Sequence, residues 1–148
     1  WKEWNEETEL EWYLIKEEKN ADLQKYVRGL LHLYRKYSAC YVMDSDWNGF
    51  EWMNCNDSER SIFSFIRKSK NGKNNLLFIC NFTPVARPNY RVGVPRRGKY
   101  TLLLDETRGL HEKSDPKDVY TAQKRDCDGK QYSIAYPLPG YGTAVFKF

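Results

Sequence analysis

The sequence predicts a mainly β domain, an antiparallel sandwich or an open barrel, preceded by one helix. Two observations carry this prediction. About seven short segments alternate apolar and polar residues with the period of two that a half-buried strand requires, and turn residues separate them. Only one segment repeats its apolar residues at the three- and four-residue intervals of a helix. At 148 residues the chain is long enough for one sizeable core.

The sequence predicts an irregular loop with a short helical turn at residues 1–19. Three tryptophans, Trp1, Trp4 and Trp12, stand there among glutamates. That much apolar area needs a partner, which is either the following helix or protein outside these residues. The abrupt opening on Trp1 is what we expect of a segment cut from a longer protein.

The helix is predicted at about 22–37. Arg35 and Lys36 suit the negative end of its dipole, and Asn20 or Asp22 is expected to cap its start. His32 lies on this segment without a second histidine nearby, so it is a surface or packing residue rather than a metal ligand or base. The apolar stripe consists of Leu23, Tyr26, Val27, Leu30, Leu31, Tyr34 and Tyr37.

Strands are predicted after the helix, and glycines and prolines separate them. Asn71-Gly72 indicates a tight hairpin turn. The prolines of the block Asn81–Pro95 end one strand by about Thr83. The polar stretch 105–130 is predicted as a long loop with one weak strand near 119–122. The main strands are expected at 49–55, 61–67, 76–82, 90–94, 99–104, 132–138 and 143–148.

The net charge of +4 is unevenly distributed, because residues 61–104 contain nine basic and no acidic residues. Clustered Lys and Arg allow a nucleic-acid or polyanion interpretation. No recognition helix or RNA-binding signature accompanies them, which favours a solvated sheet face or a face that meets an acidic neighbour. We therefore predict no nucleic-acid partner. No apolar run approaches the ~20 residues that span a membrane, so no membrane partner is predicted either.

The sequence predicts no self-sufficient active site, no metal and no cofactor. Cys40, Cys55, Cys80 and Cys127 lack short metal-type spacing, and free thiols in a reducing cytosol are expected. The histidines stand outside any nucleophile motif, and no Gly-rich phosphate loop precedes a helix. Paired carboxylates could cleave a sugar linkage. The candidates Glu6, Glu7, Glu17 and Glu18 fit a charged loop better.

Several motifs together resemble the C-terminal portion of glycogen (1,4-α-glucan) branching enzymes, members of the amylase-like glycoside hydrolases. They are Glu3-Trp4-Asn5, Leu10-x-Trp12-x-Leu14, Leu33-Tyr34-Arg35, Gly49-Phe50-Glu51-Trp52, Asn56-Asp57 and Asn81-Phe82-Thr83-Pro84-Val85-x-Arg87-x-x-Tyr90-Arg91-x-Gly93-Val94-Pro95. The similarity runs through nearly the whole chain in the right order. The Asn-Phe-Thr-Pro-Val block is specific for that enzyme among its relatives.

The resemblance implies a non-catalytic fragment of a longer cytoplasmic enzyme that makes α-1,6 branches in glycogen. Residues 1–40 would be the last loop and helix of a catalytic (β/α)₈ barrel, and residues 41–148 an amylase-type C-terminal sandwich that stabilises it. The catalytic carboxylates would precede Trp1, so the chain holds no catalytic residue. Trp1, Trp4 and Asn5 would lie near the rim of the glucan cleft. The implied partners are α-glucan, through the full-length enzyme, and the catalytic barrel.

Two further expectations stay open. An accessory carbohydrate-binding module would use exposed aromatic side chains, whereas a purely structural sandwich would bury them in its core. The stretch 105–130 departs from the resemblance, because Asp105-Glu106-Thr107 and His111-Glu112-Lys113-Ser114 replace the usual Asn-Thr-Asp and Tyr-Gly-Gly-Ser. The aromatic candidates for binding sugar in such a carbohydrate-binding module are Trp47, Trp52, Tyr90, Tyr100 and Tyr141.

Overall fold

The computed structural model describes residues 3, 5–105, 109–110 and 115–148. Within them a short 3-10 helix, Trp12–Lys16, leads into helix α1, Glu18–Lys36. Further 3-10 turns lie at Ser38–Cys40, Trp47–Gly49 and Pro116–Asp118. The strands are β1 Phe50–Asp57, β2 Ile62–Arg67, β3 Leu76–Asn81, β4 Arg87–Val94, β5 Lys99–Asp105, β6 Gly109–Leu110, β7 Val119–Thr121, β8 Tyr132–Leu138 and β9 Thr143–Lys147.

The strands form two antiparallel sheets, which confirms the predicted mainly β antiparallel sandwich. The larger sheet has the order β1-β2-β3-β9-β5-β6, and β7 pairs with the other half of β5. The smaller sheet consists of β4 and β8. Consecutive strands β3 and β4 therefore lie in different sheets, and residues 82–86 carry the chain across.

The main core lies between the two sheets. Side chains alternate along the strands, so that Leu77 and Ile79 of β3 point into this core while Leu76 points to the opposite face. Phe146 of β9 is likewise buried in the core, whereas Val145 faces outward. Both faces of the centre of the large sheet are covered, which explains the nearly continuous apolar runs of β3 and β9.

Helix α1 packs on the outer face of the large sheet. Leu33 and Tyr37 are buried there against Leu76, Leu103 and Val145, which belong to three different strands. Gly29 allows the close approach of the helix to β6, because a Cβ at that position would lie 3.1 Å from the Leu110 Cβ. The sandwich thus carries a third layer made of a single helix.

The helix begins earlier than predicted, and the capping prediction is wrong. Its N-cap is Glu17, which makes no side-chain capping hydrogen bond. Asn20 lies inside the helix, where its Nδ2 donates to the Leu14 carbonyl at 3.0 Å and to the Glu17 Oε2 at 3.3 Å. The backbone N–H of Ala21 donates to the Glu17 carbonyl. The first helical turn therefore forms directly after the 3-10 segment, upstream of the expected cap.

Two predicted loops are more ordered than the sequence indicates. β2 and β3 form the predicted hairpin and Gly72 has a φ of +67°, but the tight turn is wrong, because β2 ends at Arg67 and β3 begins at Leu76. Within this longer connection the Ser69 N–H donates to the Asn75 Oδ1 at 3.0 Å. The weak strand predicted near 119–122 forms as β7. In addition, the backbones of Cys127 and Lys130 pair across a short turn. Residues 106–108 and 111–114 of the 105–130 stretch lie outside the described residues.

Candidate functional site

The part of the chain that the structure describes offers no metal centre. It contains no group of three His, Cys, Asp or Glu side chains that could hold an ion. The four thiols are free, as predicted, and Cys55 alone is exposed. The carboxylates Glu6, Glu7, Glu17 and Glu18 are all exposed. Across the described ranges, no helix combines the length and apolarity needed to cross a bilayer.

The most prominent feature is an exposed apolar surface on α1 and the segment before it, which we call the helix face. The predicted apolar stripe of the helix is divided. Tyr37 packs on the sheet beside Leu33, which the stripe did not include, while most of the stripe is exposed among the described residues. Leu31 is 60% exposed and Trp12 is 58% exposed. The helix face consists of Leu10, Trp12, Tyr13, Ile15, Leu23, Val27, Leu30, Leu31 and Tyr34.

Local contacts hold the helix face together. Asn20 on the helix bonds the Leu14 carbonyl of the 3-10 segment, which fixes the two elements against each other. The Tyr13 hydroxyl donates to the Glu11 Oε1 at 2.6 Å, and that hydrogen bond raises the pKa of Tyr13. Contiguous exposed apolar surfaces of this kind mark interaction sites in soluble proteins. The helix face is therefore a candidate interaction surface, which the described residues leave uncovered.

A second exposed apolar surface lies on the outer face of β1, β2 and β3, beside the helix. Trp52, Phe65 and Phe78 stand directly opposite one another across the three strands. The rings of Phe65 and Phe78 stack at a centroid distance of 4.9 Å, and those of Trp52 and Phe65 meet edge to face at 5.9 Å. We call this set the aromatic ladder; its members are Phe50, Trp52, Phe63, Phe65, Phe78 and Phe82.

The five aromatic candidates for sugar binding divide between the surface and the core. Trp47 is 96% exposed, and Trp52 and Tyr141 also reach the surface. Tyr90 and Tyr100 do not, and an exposed binding role is wrong for both. They are buried in the main core, as alternation along β4 and β5 requires. Of the five, only Trp52 belongs to the aromatic ladder.

Burial also controls the chemistry of these two tyrosines. Burial raises the pKa of Tyr100 to about 12, and its hydroxyl donates to the Arg96 carbonyl at 2.9 Å. Burial together with the nearby Asp57 carboxylate raises the pKa of Tyr90, whose hydroxyl donates to the Asp57 Oδ2 at 3.2 Å. Both rings therefore belong to the core, and each hydroxyl has a hydrogen-bond partner in the protein.

The predicted rim residues are only partly described. Asn5 is exposed, and its Oδ1 accepts hydrogen bonds from the Glu7 N–H and the Thr8 Oγ1, both at 3.1 Å. It thus organises a local turn. Trp1 and Trp4 lie outside the described residues.

Asn81 gives the specific Asn-Phe-Thr-Pro-Val block a structural role. Its buried side chain donates to the carbonyls of Val85 at 2.9 Å and Pro139 at 2.7 Å. Its Oδ1 accepts from both the N–H and the hydroxyl of Thr83, at 3.1 and 2.9 Å. Gly140 lies so close that an added Cβ would be 2.1 Å from the Pro84 carbonyl oxygen. The block therefore joins the 82–86 crossing to the 139–142 turn, a role that the sequence alone did not reveal.

The comparisons with known proteins agree with this architecture. The family model described as "Alpha amylase, C-terminal all-beta domain" matches residues 52–148. The 1,4-alpha-glucan branching enzyme GlgB of Butyrivibrio fibrisolvens is 46% identical over 149 residues, with 99% of this chain and 23% of the relative covered. The GlgB enzymes of Trichodesmium erythraeum and Aquifex aeolicus are each 36% identical, with 99% of this chain and 19% and 24% of the relatives covered.

These matches confirm the resemblance to branching enzymes along nearly the whole chain. The chain spans about a fifth to a quarter of the length of these curated relatives. The strands that the family model covers are those of the two packed sheets. The chain belongs to the family of alpha-amylase C-terminal all-beta domains.

Proposed function

We propose that this chain is the C-terminal portion of a 1,4-α-glucan branching enzyme and that it stabilises the catalytic part without taking part in the chemistry. Residues 1–40 are assigned to the end of a catalytic barrel, and residues 41–148 to the sandwich domain. The names and the much greater length of the relatives support this assignment. The single observation that carries the role is the exposed helix face.

Helix α1 carries apolar side chains on two sides, as a helix packed between two layers does. Leu33 and Tyr37 on one side pack on the sandwich, while Leu23, Val27 and Leu31 on the other side are exposed. A helix that is apolar on both sides is normally covered on both sides. The natural cover is the catalytic part of the same longer polypeptide. The sandwich then holds the last barrel helix against the barrel.

The longer enzyme would cleave an α-1,4 bond, form a covalent glycosyl-enzyme and transfer the glucan segment to a 6-hydroxyl in the cytoplasm. Such retaining chemistry requires two carboxyl groups about 5 Å apart. We assign both groups to chain that precedes Trp1. Trp1, Trp4 and Asn5 are proposed to lie near the rim of the glucan cleft, where the C-terminal ends of barrel strands form the active site. α-Glucan is the partner of the whole enzyme.

A charge in the helix face tests this proposal. In the 148-residue chain, Leu31→Glu should change the free energy of unfolding by less than about 0.5 kcal/mol, because Leu31 is 60% exposed. In the longer enzyme it should destabilise by about 2–4 kcal/mol, since the carboxylate would be buried without a partner. Urea denaturation of both chains measures the difference.

His32→Glu is the matched control, because His32 is an exposed neighbour on the polar side of α1. We expect it to be neutral in both chains. Equal effects of Leu31→Glu in the short and the long chain would contradict a buried helix face.

A second candidate function is glucan binding on the aromatic ladder. Trp52 is 50% exposed and Phe82 is 62% exposed on an open sheet face, where a sugar ring could stack on the indole. We expect the 148-residue chain to be retarded in native gels containing glycogen and Trp52→Ala to remove the retardation. Trp47→Ala is the control, because Trp47 lies outside the ladder. Unretarded migration of the unsubstituted chain would leave the structural role alone.

A further inference from the structure

An open cleft of about 380 Å³ lies on the surface of the sandwich, away from the helix face. One wall is strand β4 and the other is the short turn around Cys127 and Asp128. Three arginines from two parts of the chain line it. Besides Pro88 and the Tyr90 ring, the lining residues are Arg60, Arg87, Asn89, Arg91, Cys127 and Asp128.

The walls of the cleft are held in place by hydrogen bonds. Asp128 has a φ of +50°, and its Oδ1 accepts from the Asn54 Nδ2 while its Oδ2 accepts from the Gly93 N–H, both at 2.8 Å. Only glycine fits at position 93, because an added Cβ would lie 2.3 Å from the Cys127 carbonyl oxygen. The turn therefore lies directly on β4, and the cleft is part of the rigid sandwich.

Strand β4 is irregular at the cleft. Arg87 pairs with Leu138 and Tyr90 pairs with Tyr136, so β4 carries one residue more than β8 between these pairs. Such a bulge turns side chains out of the regular alternation, and bulges are common beside functional sites. Here it places Arg87 and Asn89 in the lining of the same cleft.

Three arginines line the cleft beside two carboxylates, Asp57 and Asp128, so the arginines carry one more charge than these carboxylates balance. Arg60 Nε pairs with the Asp57 Oδ1 at 2.7 Å. Within the described residues, the acceptors of the Arg91 guanidinium are neutral: the Ser133 Oγ at 2.9 Å and the Gln123 Oε1 at 3.0 Å.

Arg87 is the least satisfied of the three. Its Nε is buried, and it has no hydrogen-bond partner in the described part of the chain. A buried donor of this kind is costly unless something accepts its hydrogen bond.

We propose that this cleft binds the phosphate group of a small phosphorylated ligand, with Arg87 as the principal contact. The planar guanidinium donates paired hydrogen bonds that match phosphate oxygens, and the net positive charge of the cleft attracts an anion. The cleft is within the size range of small-molecule sites. The ligand class is a phosphate monoester or inorganic phosphate. The proposal does not depend on the role assigned to the helix face.

Titration of the 148-residue chain tests the site, with amide chemical shifts as the readout and sodium chloride holding ionic strength constant. Inorganic phosphate and glucose 6-phosphate should each give saturable shifts at Asn89 and Gly129, and glucose should give none. Tighter binding of glucose 6-phosphate would identify a phosphorylated sugar as the ligand, whereas equal binding would identify phosphate itself. Shifts that sodium chloride alone reproduces would overturn the proposal.

Substitutions distinguish a specific contact of Arg87 with phosphate from a general effect of positive surface charge. Arg87→Met should weaken phosphate binding about tenfold or more, and Arg87→Lys should weaken it as well, because lysine keeps the charge but not the paired donors. Arg97→Met, which removes an exposed arginine outside the cleft, should leave binding unchanged. Native-like amide spectra identify the variants that fold. Equal loss of affinity in Arg97→Met and Arg87→Lys would overturn the proposal.

Discussion

If residues 38–148 are deleted from the longer enzyme, we expect that the remaining barrel is no longer soluble and active. The deletion removes the sheet residues that bury Leu33 and Tyr37, which are 4% and 9% exposed in the intact chain. Helix α1 would then expose the apolar side that packs on the sandwich, and such surface promotes aggregation. Soluble yield, branching activity and thermal melting measure the effect, with the undeleted enzyme assayed in parallel.

The same deletion also separates the structural role from catalysis. The 148-residue chain alone should fold and show no branching activity, because the reacting carboxylates are assigned to preceding chain. A soluble barrel with full activity and unchanged melting would refute the stabilising role of the sandwich.

Asn81→Ala is expected to destabilise the 148-residue chain by about 3 kcal/mol. The substitution leaves the carbonyls of Val85 and Pro139 and both donors of Thr83 without their present partner in a half-buried joint. At the size of this chain that loss corresponds to a melting temperature lower by roughly 10 °C. Urea denaturation and calorimetry measure it.

Two further variants isolate the cause. Asn81→Asp keeps an acceptor for Thr83 but loses the donor to Val85 and Pro139, so it should be at least as destabilising as alanine. Asn89→Ala, at an exposed position of the same sequence block, should stay within about 0.5 kcal/mol of the unsubstituted chain. If Asn81→Ala were as mild as Asn89→Ala, the joint would not be held by this side chain.

The positions of the strands were predictable because each carries a local signal. Alternation of period two and the turn residues located the main strands to within a few residues. Their division between the sheets was not predictable, since no local pattern shows that β3 and β4 separate after Asn81. The helix start was missed for a similar reason. Asn20 has the residue type of a cap, but its partner is Leu14 in the preceding turn.

The functional surfaces were predictable only in part. The apolar stripe predicted an amphipathic helix, but only tertiary packing divides it into a buried end at Tyr37 and an exposed side at Leu31. In the same way, Tyr90 and Trp52 are both strand aromatics, and the register alone decides that one is buried and the other exposed. The arginine cleft joins residues far apart in sequence, so the run of basic residues indicated charge without indicating a site.

Hydroxyl-radical footprinting of the 148-residue chain and of the longer enzyme tests the central claim most directly. If the helix face covers the catalytic barrel, oxidation of Trp12, Leu31 and Tyr34 should be several-fold slower in the longer enzyme. The exposed Trp47 and Tyr141 should be oxidised at the same rate in both and so serve as internal controls. Equal oxidation of the helix face in the two chains would contradict the account.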